Sequence, residues 1–92
     1  MPLFFMFGKY SSQSLDGIST QRTEDAERVV KELGGEVKSM YALLGEHDLA
    51  FIVELPGVQE AIKASVLIST VTGIAFSTAP AVTVQDFDKL VT

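Results

Sequence analysis

From Leu3 to Tyr10 the chain is bulky and apolar on both alternating faces, with Leu3, Phe5 and Phe7 on one and Phe4 and Met6 on the other. A polar Ser-Ser-Gln-Ser tract ends the run. The pattern predicts a strand covered on both sides, because a half-solvated strand alternates apolar with polar residues. The period then changes. Ala26, Val29, Val30 and Leu33 recur at i, i+3, i+4 and i+7, which predicts a helix. Thr23-Glu24-Asp25 offers a capping hydroxyl and two acids near its positive end, and Gly34-Gly35 closes it. Leu15 and Ile18 mark an earlier turn or short helix running into it.

Val37, Ser39, Tyr41 and Leu43 alternate with Lys38, Met40, Ala42 and Leu44 in a second strand, and Gly45-Glu46-His47 forms a short turn. A third strand runs from Asp48 to Leu55, again apolar on both faces, with Leu49, Phe51 and Val53 opposite Ala50 and Ile52. The short connection makes these two strands an antiparallel hairpin. Pro56-Gly57 stops the third strand. Val58 to Thr72 reads as a helix with Ala61, Ile62, Leu67, Ile68 and Val71 as core candidates, although its second half is β-branched enough to resemble a strand. Gly73 caps it, Ile74 to Val84 is the last strand, and Thr83 with Asp86 opens a short terminal helix through Leu90.

The order βαββαβ predicts one α+β domain over residues 1–92, ferredoxin-like, with a four-stranded antiparallel sheet in the order 4-1-3-2. Two helices cover one face, and a short helix ends the chain. The two strands that are apolar on both faces fall in the middle, and Pro80 falls on an edge strand, where a missing ladder donor is tolerated. Such a sheet leaves one face uncovered. It would display either Phe4, Met6, Ala50 and Ile52, or Leu3, Phe5, Phe7, Leu49, Phe51 and Val53. An apolar patch of that size, on the order of several hundred Å², predicts self-association into a homodimer or higher homo-oligomer.

Charge narrows the partners. The net charge is -5, and the seven cations, Lys9, Arg22, Arg28, Lys31, Lys38, Lys63 and Lys89, are scattered. An acidic surface with dispersed cations disfavours nucleic acid and anionic membranes. The absence of cysteine excludes disulfides, thiolate nucleophiles and cysteine zinc sites, and it suits a cytoplasmic protein. Met1–Phe7 lacks a basic leader and is too short for a signal core or a membrane span.

Candidate chemistry is sparse. In Gly45-Glu46-His47-Asp48, His47 could act as a base or bind a metal with a neighbouring carboxylate. The structural alternative is that Gly45 supplies a positive φ and Asp48 accepts loop amides. One histidine without cysteine gives no stable metal site within one chain. Tyr10 and Tyr41 could each donate a phenol hydrogen bond to a ligand, or wet their hydroxyls at a core edge. Ser65, Ser69, Thr70 and Thr72 have no nucleophile-elbow or triad pattern beside them. Gly34-Gly35 follows a helix, so it cradles no phosphate. Glu24, Asp25, Glu27 and Glu32 read as a solvated helix face.

Gly8-Lys9-Tyr10-Ser11, Leu33-Gly34-Gly35, Leu44-Gly45-Glu46-His47-Asp48, Val53-Glu54-Leu55-Pro56 and Asp86-Phe87 together resemble the bacterial GYD-domain proteins over essentially the whole chain. That family is one of small ferredoxin-like proteins of unresolved function. Its turn usually reads Gly, one residue, Tyr, Asp; here His47 stands at the tyrosine position, so no role resting on a phenol there carries over. Pro80 also departs from the pattern. The resemblance implies a fold and no chemistry. The expectation is therefore a small oligomeric domain without a cofactor, binding a small ligand at the sheet or subunit interface through Tyr10, Tyr41, Gly45, His47 and Asp48. The alternative is an enzyme of the dimeric α+β barrel kind, acting on a small organic substrate with His47 or Asp48 as base.

Overall fold

The computed structural model describes all residues from Met1 to Thr92. The elements run β1 (Leu3–Lys9), α1 (Ser12–Leu15), α2 (Thr20–Glu32), β2 (Glu36–Ala42), β3 (Leu49–Glu54), α3 (Val58–Thr72), β4 (Ala75–Ala81) and α4 (Val84–Val91). The four strands form one antiparallel sheet in the order β2-β3-β1-β4. This is the expected order read from the other edge. β1 and β3 are central, and Pro80 lies on edge strand β4 opposite Phe4.

Register decides the faces. Phe4 pairs with Val53 and Met6 with Phe51, and all four are buried beneath α2 and α3. Phe5 pairs with Ile52 and Phe7 with Ala50 on the opposite face, where each is half-buried. Directly opposed residues of an antiparallel pair share a face. Neither expected set is therefore right. The uncovered face carries Leu3, Phe5 and Phe7 of β1 with Ala50 and Ile52 of β3, while Phe4 and Met6 belong with Phe51 and Val53. Parity along each strand was legible; the register between strands was not.

The helices correct three further expectations. Ser19, not Thr23, caps α2, its hydroxyl accepting from the Arg22 amide at 3.1 Å. Thr20 and Gln21 are polar, so the apolar period did not reveal this first turn. The earlier turn is a separate helix, α1, opened by a reciprocal capping box between Ser11 and Ser14. In α3 the buried residues are Ala61, Ala64, Ile68 and Thr72, whereas Ile62, Leu67 and Val71 are exposed. Two alanines let the helix lie close to the sheet, and its larger residues fall on the flanks. Thr72 is buried with its hydroxyl donating to the Ile68 carbonyl at 2.6 Å and accepting from the Ile74 amide at 3.2 Å, so the burial leaves no unsatisfied group. Ser65 likewise packs against β4, accepting from the Thr78 hydroxyl at 3.0 Å.

The strands are shorter than expected. β1 stops before Tyr10, β2 stops at Ala42, β3 begins after Asp48 and β4 spans only Ala75–Ala81. The hairpin connection is accordingly a six-residue loop, Leu43–Asp48, instead of a three-residue turn. α4 has no buried residue.

Candidate functional site

The loop between β2 and β3 is fastened to the end of β1. The Asp48 amide donates to the Gly8 carbonyl at 2.9 Å, and the Leu43 amide donates to the Asp48 carbonyl at 2.8 Å. The Asp48 carboxylate accepts from the Tyr10 amide at 2.8 Å, and Lys9 Nζ donates to the Glu46 carbonyl at 3.0 Å. Gly45 adopts φ +112°, a region where a side chain is strained. Asp48 is thus a loop clamp: its oxygen satisfies the amide that β1 leaves free as it ends.

His47 takes a different direction. Its ring stacks on Phe7 at 4.7 Å between centroids and 28° between planes. Phe7 belongs to the uncovered sheet face, so His47 extends that apolar face at one end. The histidine is half-buried there.

Tyr10 and Tyr41 border a cavity of about 150 Å³ between α2 and the sheet. Ile18, Arg22, Met40 and Ile74 complete its walls. Arg22 enters from α2, with its guanidinium 5.6 Å from the centre of the Tyr10 ring. It donates to the Ser14 carbonyl at 2.6 Å and to the Thr72 carbonyl at 3.5 Å, joining α1 to the end of α3. No histidine, aspartate or glutamate lines this cavity.

The five expected ligand-binding residues therefore divide. Tyr10 and Tyr41 both border the cavity, but Tyr41 is in register with Ala50 and so stands on the uncovered face, as His47 does, and Gly45 and Asp48 build the loop. Arg22, Ile18 and Met40 were missed. A lone arginine in a polar stretch reads as a solvated cation, and only packing of α2 brings it to Tyr10. No three His, Asp or Glu side chains come together as a metal site, and no helix is long and apolar enough to cross a membrane.

Asp48→Ala is expected to lower stability by about 2 kcal/mol, because the Tyr10 amide then loses its partner in a part-buried setting. His47→Ala should cost less, about 0.5–1 kcal/mol, the scale of one ring stack. Thermal melts of the two variants decide the order; a larger loss for His47→Ala would contradict the clamp assignment.

Comparison with solved structures finds a similar fold in larger proteins. A leucine response regulatory protein of Mycobacterium tuberculosis (LrpA) superposes with a TM-score of 0.59 at 15% identity, covering 89% of this chain and 51% of that one. A point mutant of Rv3291c gives 0.60 at 13% identity, covering 90% and 51%. This chain spans about half the length of those proteins. No curated protein matches it significantly. The GYD domain family matches residues 4–91, which is nearly the whole chain. By that match, with the loop and sheet that carry its motifs, this chain belongs to the GYD-domain family.

Proposed function

We propose that this domain binds a small, mostly apolar ligand and works as a homo-oligomer in the cytoplasm, on a ferredoxin-like frame. The observation that carries the binding role is the cavity under α2. It has apolar walls, one guanidinium and no proton acceptor of the carboxylate or imidazole type. Such a lining suits recognition and supplies no general base. A volume near 150 Å³ fits a benzene ring or a branched aliphatic body of similar size. A carboxylate on that body would find the free edge of Arg22. The presence of this fold in a leucine response regulatory protein supports a sensing role of this kind.

Titration of labelled protein with benzoate and with 4-methylpentanoate tests the reading, with toluene as the uncharged control. The expected result is amide shifts clustered at Tyr10, Ala26, Met40 and Ile74, stronger for the acids than for toluene. Ala42→Phe, placed at an exposed wall position, should abolish the shifts and leave the melting curve unchanged. Shifts clustered instead around His47 and Phe7 would move the site to the sheet face, and no saturable shifts would remove the proposal.

A further inference from the structure

Besides the uncovered sheet face, two apolar surfaces are without partners, and both lie outside the cavity under α2. The first is α4. At 100° per residue, Val84, Phe87, Leu90 and Val91 fall within an arc of about 120°, and Gln85, Asp86, Asp88 and Lys89 occupy the rest. Those four apolar residues are 53–75% exposed. The second is a groove between α3 and edge strand β4. Val58, Ile62 and Val66, one turn apart, form one wall at 60–62% exposure, and Thr78 and Pro80 form the other.

We propose that α4 of one copy lies in the α3–β4 groove of a second copy, and that the exchange is reciprocal. Several observations point to a second copy as the occupant. Helix and groove belong to the same chain, so a two-fold pair fills both grooves and leaves neither of these two surfaces unpartnered. α4 buries no residue and makes at most slight contact with the other elements of its own chain. Thr83 accepts from the Asp86 amide and fixes the start of the helix just after β4.

Size and charge agree. Four side chains of α4 entering a groove with a three-residue wall, twice over, remove on the order of 1,000 Å² from water, the scale of a specific interface. Lys63 stands beside Ile62 on α3 without an ion-pair partner, and so do Asp86 and Asp88 on α4. Exchange brings these opposite charges to one rim. The contact is a helix laid in an apolar groove, with Phe87 as central anchor and Ile62 at the middle of its wall. It does not rest on ligand binding or on pairing through the sheet face.

The absence of cysteine makes the test direct. Ile62→Cys and Phe87→Cys are made in separate preparations, mixed, and oxidised. Both positions are exposed in a single chain, so neither change disturbs the fold. The expected product is a covalent dimer joining residue 62 of one chain to residue 87 of the other, at least tenfold over the 62–62 and 87–87 products. Leu90→Asp on the Phe87→Cys chain should reduce it tenfold. A double variant carrying both cysteines should likewise give dimers. A closed monomer from the double variant would mean that α4 folds onto its own groove, and a random mixture of products would mean no docking; either overturns the proposal. Repeating the experiment with Ile52→Lys on both chains should leave the product intact, which separates this contact from the sheet face.

Discussion

Gly35→Ala is expected to destabilise the domain by about 3 kcal/mol, the upper end of overpacking costs. A Cβ at this position would run into the Glu54 carbonyl and stand 2.7 Å from Leu55 Cδ2. The first obstacle is backbone of the central strand β3, and Glu54 is itself in register with Leu3 of β1. Relief would require moving β2 away from β3 or shifting Leu55, which is fully buried. The adjacent Gly34 provides the control. It has φ +86°, and a Cβ there meets only Pro56 at 3.5 Å. Gly34→Ala should therefore cost only about 1–2 kcal/mol of backbone strain. For a domain of this size, 3 kcal/mol lowers the melting temperature by roughly 12–24 °C. Urea unfolding of both variants measures the difference, and a smaller loss for Gly35→Ala than for Gly34→Ala would refute the packing argument.

Ile52→Lys should reduce self-association through the sheet face by at least 100-fold in dissociation constant. Ile52 lies opposite Phe5, between Phe7 and Leu3, at the centre of the face that α2 and α3 leave uncovered. In a two-fold pair each copy would place an ammonium against the same apolar centre, and an unpaired charge there costs several kcal/mol. In a single chain the lysine tip reaches water, so folding should change little. The measurement is a dilution series by light scattering, made with Leu90→Asp in both proteins so that only the sheet contact is read. Dissociation to monomers at concentrations where the Leu90→Asp parent is a dimer is the expected result. A parent that is monomeric throughout would rule out pairing through this face.

Much of this architecture was legible in the residues alone, and the reason is local. Parity along a strand, the helical period of Ala26, Val29 and Val30, and the glycines at 34, 45 and 73 depend on backbone geometry within a few residues. The topology followed from the βαββαβ order, and it agrees with β1 and β3 being apolar on both sides, as central strands are, and with Pro80 lying on an edge. Asp48 as an amide acceptor was also within reach, since its partner lies at the end of the strand beside it.

What required the tertiary structure involves contacts between residues far apart in the chain. The register of β1 on β3 sorted Phe4 and Met6 from Phe5 and Phe7, a choice set by side-chain packing under the helices. The position of α3 replaced Ile62, Leu67 and Val71 in the core by Ala64 and Thr72, because a close helix–sheet approach favours small residues over large ones. Packing of α2 carried Arg22 to Tyr10 and made a cavity from side chains that no spacing connects. His47 turned from the loop onto Phe7 because an aromatic surface one strand away offered it a stacking partner that its sequence neighbours do not. Local order was written in periodicity and turn residues; the faces, the cavity and the direction of each candidate side chain arose only when strands and helices met, because burial is a property of the pair and not of either segment.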